Sequence, residues 1–431
     1  MPRNNRRNDK NPALPPLEVT VERLGARGDG IATLETGDRL YIPLAAPGDT
    51  LQVGVGRKRG DGRIAHIIDV LKPGDGRVDP PCRHFGRCGG CALQHLKEES
   101  IGGLKSVILE QALGRQGIRN FVLAPAVTVP PGRRRRAEFA ISRGRNTTIG
   151  FHRAGQASSI VELAECAVVI PKIAELLPEL RALCRVTSLG ESASDIRITK
   201  TDTGFDLLIA ARGHREPNAE CRQEIAAFAE RLDIARISWV DQNGAEPLAL
   251  RRRPILHFGP AALELPERYF LQPSVEGERT IAGLTLPAIA GADRIADLYA
   301  GLGSLSFPMA ANAKVTAFEI DEAMVTAARH ASSGLSLTVE QRDLARSPLT
   351  EPELKDFDAV VFDPPRAGAR EQANNLARSE VPIVVAVSCN PSTLARDLRI
   401  LRDGGYRIDR IIPVDQFTWS AELEAVAILR R

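Results

Sequence analysis

Cys389 stands in the stretch Ser388-Cys389-Asn390-Pro391-Ser392, which closes an apolar run and opens a helical one. Pro391 suits the first helical position, where no N–H is needed. A sulfur beside a helix N-terminus meets the positive end of the peptide dipoles, which favours the nucleophilic thiolate. Near the end of the chain, Glu424 in Glu422-Leu423-Glu424 is a candidate proton acceptor. Glu422 shares its strand face, and two carboxylates so close would raise the pKa of one of them. Further strand ends carry polar groups fit to hold a ligand. In Asp297-Leu298-Tyr299-Ala300-Gly301-Leu302-Gly303-Ser304 the glycines permit a tight turn and close backbone approach. Ser306 takes the third glycine position of the dinucleotide fingerprint, so the pattern for a nicotinamide cofactor is incomplete. Glu319, ending the next strand, can accept both hydroxyls of a ribose, which suits any adenosine cofactor. Asp343 follows the third strand and Asp363-Pro364-Pro365-Arg366 the fourth, where paired prolines make a rigid, extended floor beneath a planar ring.

A separate group lies far upstream. Cys82, Cys88 and Cys91 supply three soft ligands within one loop, closed by Gly89-Gly90. For the fourth ligand, His84 or His95 would favour zinc, whereas Cys166 would complete an all-cysteine site suited to an iron–sulfur cluster. Either metal would stitch the loop to a distant segment. The seven cysteines are odd in number and clustered, unlike a secreted disulfide framework, which points to a reducing cytosol.

These groups need elements to position them, and 431 residues are more than one hydrophobic core usually organises. Residues 17–71 alternate in short β-branched runs broken by glycine turns, the pattern of a small all-β barrel of about five strands. A Pro- and Gly-rich joint at 72–81 leads to the cysteines, and 93–116 has helical spacing. Over 122–258 strands mix with helices, giving a second, α+β domain. Beyond Phe270, apolar strand-like runs at 295–299, 315–320, 337–340, 359–362, 383–387, 406–413 and 423–429 alternate with helical stretches. This is the pattern of a doubly wound, mainly parallel sheet, in which ligands bind at the carboxyl ends of the strands. No apolar run is long enough to span a membrane, and residues 1–16 read as a basic tail without the apolar core of a secretion signal. The net charge of +3 decides little. Arg133 to Arg136, Arg251 to Arg253 and Arg57-Lys58-Arg59 concentrate positive charge in runs that suit a polyphosphate backbone. Aromatic residues, at 4%, are too few for a broad base-stacking platform.

Together the Ser-Cys-Asn-Pro turn with its downstream Leu-Glu, the Asp-Pro-Pro-Arg turn and the cysteine spacing resemble the RNA uracil-5-methyltransferase family, in its bacterial 23S rRNA branch. The resemblance covers nearly the whole chain. It implies a multi-domain fold: a disordered tail at 1–14, an OB-like TRAM β-barrel at 15–74, a central α+β domain at 75–92 and 122–262, and a Rossmann-like class I methyltransferase domain at 93–121 and 263–431. It implies S-adenosyl-L-methionine as cofactor, lined by Gln272, Tyr299, Ser304, Glu319, Asp343 and Asp363, with Gln272 in the motif Phe270-Leu271-Gln272-Pro273-Ser274. It further implies a [4Fe-4S] cluster on Cys82, Cys88, Cys91 and Cys166. Cys389 would add to carbon 6 of uracil so that carbon 5 can accept a methyl group, and Glu424 would remove the carbon-5 proton. RNA, expected to be 23S rRNA, is the implied partner of a cytoplasmic monomer, with one uracil flipped into the pocket. The family usually has Asn where Ser274 and Ser304 stand, and His where Glu422 stands. An amino-group methyltransferase of RNA or DNA, with Cys389 dispensable, is one alternative. A non-catalytic iron–sulfur RNA-binding protein is the other.

Overall fold

The computed structural model describes residues 15–142, 147–187, 189–213 and 216–431, and the basic tail expected at 1–14 lies outside them. The chain divides into two compact units, Met1–Pro81 with Ala92–Leu104, and Cys82–Cys91 with Lys105–Arg431.

The first unit holds a six-stranded sheet, in the order Leu17–Thr20, Thr50–Arg59, Gly62–Lys72, Arg39–Ile42, Gly30–Thr33 and Arg23–Leu24. Neighbours run antiparallel except Arg39–Ile42 beside Gly62–Lys72, which is parallel. Alternate residues, among them Val19, Leu40, Ile42, Leu51 and Val53, turn inward to form its core. The two-residue strand Arg23–Leu24 is the addition to the five strands expected. The joint that follows is fixed by Asp49. Its fully buried carboxylate accepts N–H bonds from Ala46 and Gly74 and receives the Arg77 guanidinium at 2.5 Å.

In the second unit a seven-stranded sheet runs from Gln156–Glu162 through Ile149–Arg153, Arg136–Ile141, Ala193–Thr201, Gly204–Ala211 and Arg236–Asp241 to Gly244–Leu250. Gly204–Ala211 and Arg236–Asp241 pair in parallel, which demands a crossover, and the helix Ala219–Arg231 supplies it. That helix and Leu177–Val186 bury Ile225, Phe228, Leu180 and Leu183 in the same core as Trp239.

A nine-stranded sheet carries the strand ends of interest. Its order is Leu337–Gln341, Lys314–Glu319, Arg294–Leu298, Ala359–Phe362, Ile383–Ser388, Glu424–Arg430 and Arg407–Asp415, then the short Val122–Leu123, with Val127–Thr128 also on Arg407–Asp415. The first five strands are parallel, and the central ones, Arg294–Leu298, Ala359–Phe362 and Ile383–Ser388, are buried on both faces, hence their near-continuous Val, Ile, Leu and Ala. After Arg294–Leu298 the chain winds outward to Leu337–Gln341, then returns to place Ala359–Phe362 on the other side of its first strand. This reversal opens a crevice at the carboxyl ends of the two strands. Glu424–Arg430 lies antiparallel between two neighbours. The beginning of that strand therefore meets the carboxyl ends of the others. The segment threaded onto this sheet from upstream continues past residue 121 as far as Thr128.

Candidate active site

At the crevice, Tyr299 follows its strand in the left-handed region, at φ 61°, a conformation that costs a non-glycine residue about 1–3 kcal/mol and that surrounding structure must impose. Its phenol is half-buried, and burial, with Asp397 and Asp343 nearby, pushes it up to about 12. Gly301 and Gly303, at φ 57° and 82°, complete the turn, and a Cβ on Gly303 would stand 2.8 Å from the Phe307 ring. Ser306 explains its place in the motif: its hydroxyl donates to the buried Asp297 carboxyl at the foot of the turn. Burial raises Asp297 to about 7. Glu319 is locked by three backbone donors, Gly301 N–H on Oε2 at 2.8 Å and Ile320 and Asp321 N–H on Oε1 at 2.8 and 2.9 Å. Asp343 accepts from Ala345 and Arg346 N–H, which aims it along the next loop. Ser304 lies half-buried in the glycine turn. Ser274 caps the helix Val275–Ala288 by accepting the Gly277 N–H at 3.0 Å.

The second half of the site is built on three neighbouring strand ends. Cys389 follows Ile383–Ser388 and precedes the helix Pro391–Asp403, whose N-cap is Asn390. Asn390 accepts from Ser392 N–H and donates to the Arg366 carbonyl at 2.8 Å, and Thr393 donates to the same carbonyl at 3.2 Å. The cysteine turn and the Asp-Pro-Pro-Arg turn are thereby clamped together. Register pairing of Ser388 with Ala425 sets Glu424 beside the cysteine turn.

The electrostatics reverse one expectation. Burial, and next the charges of Glu424 and Asp363, push the Cys389 thiol up to about 11 against an opposing pull from Arg366. Half-buried beside two carboxylates, Cys389 rests as a thiol. Glu424 is 2% exposed, and burial and then Asp363 hold its carboxyl well above the usual range. Burial also raises Asp363, to about 6. The like-charge neighbour of Glu424 is therefore Asp363. Glu422, expected in that role, points outward and pairs with Arg366 at 2.8 Å. Gln272, expected against a cofactor, uses its side chain on Asp363 Oδ2 at 3.2 Å and on Gln416 at 2.8 Å. Gln416 was not among the residues singled out by sequence. Its one signal is a polar residue directly after an apolar strand that ends beside Glu424.

The cysteine segments 82–91 and 163–166 come together. His84 Nε2 accepts the Ala164 N–H at 3.1 Å, and Arg83 grips Glu165 with contacts of 3.0 and 3.3 Å. His84 is thus committed to the backbone, and His95 is buried in the first unit. Burial, then Cys166 and Cys82, raise the Cys88 thiol. Among the described residues the seven cysteines are thiols, and no three His, Cys, Asp or Glu side chains already surround a point that could hold a metal ion.

The basic runs are largely committed within the protein. Arg133 pairs with Glu276 at 3.6 Å, Arg135 is buried against Glu278 at 2.5 Å, and Arg136 lies 4.9 Å from the centre of the Phe270 ring. Arg251 and Arg252 share Asp233, and Arg253 holds Glu264 at 2.9 Å. In the third run Arg57 and Lys58 are exposed beside an Arg59 paired with Asp29 at 2.6 Å. No helix among the described residues is long and apolar enough to cross a membrane.

Residues 130–431 match the family model described as tRNA (Uracil-5-)-methyltransferase. The chain belongs to this family. A Brucella suis biovar 1 protein named an uncharacterized RNA methyltransferase is 40% identical over 96% of this chain and 98% of its own length. A 23S rRNA (uracil(1939)-C(5))-methyltransferase of Halomonas elongata is 32% identical over 96% of this chain and 89% of its own length. Among solved structures, the Pyrococcus abyssi tRNA (uracil-54, C5)-methyltransferase in complex with S-adenosyl-L-homocysteine superposes with a TM-score of 0.74 over 96% of this chain and 100% of that one. At 22% identity it shows a shared fold. As a member of the family the chain is an RNA methyltransferase with Cys389, Asp363 and Glu424 drawn to one edge of its catalytic sheet.

Proposed function

We propose that this enzyme methylates carbon 5 of a uridine in RNA, in 23S rRNA, through a covalent Cys389 adduct at carbon 6. The observation that carries the reading is the convergence of Cys389, Asp363 and Glu424 at one strand-end edge, close enough that both carboxylates raise the thiol. S-adenosyl-L-methionine, when bound, supplies an electrophilic methyl group. Tyr299, Ser304, Glu319 and Asp343 are the groups that would hold it. The glycine turn leaves room for close approach, and the anchored Glu319 carboxylate suits ribose hydroxyls. Asp363 borders both this crevice and the cysteine turn.

Because Cys389 rests as a thiol, sulfur attack on carbon 6 is coupled to transfer of the Sγ proton to Asp363, the neighbouring carboxylate other than Glu424, which leaves Glu424 as a carboxylate for the later step. The carbon 5–carbon 6 pair shifts toward carbon 5, which becomes nucleophilic. After methylation Glu424 takes the carbon-5 proton. The freed electron pair restores the ring double bond as the carbon–sulfur bond breaks and sulfur leaves. With His84 engaged by the backbone, Cys82, Cys88, Cys91 and Cys166 remain as an all-cysteine set, the donor chemistry of a [4Fe-4S] cluster. Such a cluster would tie the two cysteine segments together.

With an RNA transcript and the methyl donor, Cys389→Ala should form no covalent protein–RNA complex. Glu424→Gln should trap a methylated one, visible on a denaturing gel. An alanine variant that modifies RNA at an unchanged rate would overturn the mechanism. Mapping 5-methyluridine in total RNA from cells with and without the gene would identify the target.

A further inference from the structure

Two amides in series join the two carboxylates of the site. Gln272 Nε2 donates to Asp363 Oδ2 at 3.2 Å, and Gln416 Nε2 donates both to Gln272 Oε1 at 2.8 Å and to Glu424 Oε2 at 3.1 Å. A carboxamide nitrogen has two hydrogens, and both of those on Gln416 are committed. Glu424 Oε2 must therefore offer a lone pair to the chain. A proton on this carboxyl belongs on Oε1, which is buried and has no hydrogen-bond partner among the described residues. Gln416 is itself 1% exposed, so water does not compete for its donors. Its position is prepared from two sides. Gly277 admits it, since a Cβ there would come within 2.9 Å of the Gln416 Cβ. Asp415, the adjoining residue, is held by the buried ammonium of Lys105.

We propose that Gln416 is a positioning residue for the final proton removal, reserving Glu424 Oε2 as an acceptor and directing the carbon-5 proton onto Oε1. This rests on the reading of Glu424 as the proton acceptor. In that step the carbon 5–hydrogen bond breaks and its proton goes to Oε1. The electron pair forms the carbon 5–carbon 6 double bond, and the carbon–sulfur pair returns to Cys389. Methyl transfer comes earlier and does not involve proton removal by Glu424. Loss of the amide leaves Glu424 without a fixed rotamer or a reserved oxygen and slows the last step selectively.

The test uses the full-length enzyme, RNA tritiated at uridine carbon 5 and a methyl-labelled donor, in a single turnover. The wild type should release tritium in step with methyl incorporation. In Gln416→Leu and Gln416→Asn the release should lag behind methyl incorporation by roughly tenfold, with methylated adduct accumulating. The methyl burst counts the competent molecules, so partial misfolding leaves the ratio unchanged. Release that keeps pace in both variants, or two rates that fall together as a packing defect would make them, overturns the role of Gln416. Glu424→Gln, run in parallel, separates the two claims. If it turns over normally the reading of Glu424 fails, and if it stalls while both Gln416 variants keep pace only the positioning role fails.

Discussion

Cys389 sits where two opposing influences meet, a helix end that favours thiolate and a half-buried pocket with two carboxylates that favours thiol. The second wins because burial penalises any charge and Asp363 and Glu424 repel a negative one. Removing one carboxylate should therefore bring the thiol down from about 11. Asp363→Asn is expected to shift the pH midpoint of iodoacetamide alkylation at Cys389, followed by peptide mass spectrometry, to lower pH. The shift is partial, because burial is the larger cause and remains. A midpoint that stays put or rises would mean Asp363 does not face the sulfur. The residue types needed here were legible in the sequence, down to the Ser-Cys-Asn-Pro turn. Their pairings were not. Asp363 takes the part expected of Glu422 while Glu422 pairs with Arg366, because proximity along a strand says nothing about which carboxylate lies across a loop.

Strand-to-helix junctions carry the site, and they were readable because strand period, turn glycines and Pro at a helix start are local signals. The catalytic strands lie close to their expected limits, as with 359–362, found at Ala359–Phe362. Missed were the two-residue strands Val122–Leu123 and Val127–Thr128, too short to show any period. These strands join Arg407–Asp415, and the buried Lys105–Asp415 ion pair, spanning 310 residues of chain, fastens Lys105 to the same strand. Lys105→Met would leave a buried carboxylate without its partner. It should cost about 3–5 kcal/mol in a urea or guanidinium unfolding experiment, whereas Lys105→Met with Asp415→Leu should recover most of that. An unchanged midpoint in the single variant would show that Asp415 finds water instead.

Across the described residues, positive charge that looks continuous in the sequence is mostly paired with carboxylates, and Arg57 and Lys58 are exposed cations of the third run. If the barrel contacts the RNA backbone, replacing both with Ala should weaken RNA binding and lower the slope of log affinity against log salt by about two. Methyl transfer at saturating RNA should be unaffected. An unaltered slope would move the phosphate contacts elsewhere. Protein purified without oxygen should carry about four iron and four sulfide per chain if the cysteine segments hold a cluster, and Cys166→Ser should lose most of both. Zinc in their place would revise the site. By itself the sequence determined the side-chain chemistry and the order of elements, since hydrophobic period and turn residues act over a few residues at a time. Only the tertiary structure decided that an antiparallel last strand brings Glu424 to the carboxyl ends of its neighbours, and that Gln416 and Gln272 bridge the two carboxylates. Those contacts exist only once strands distant in sequence lie side by side, and the ordering of a sheet is a property of the folded chain as a whole.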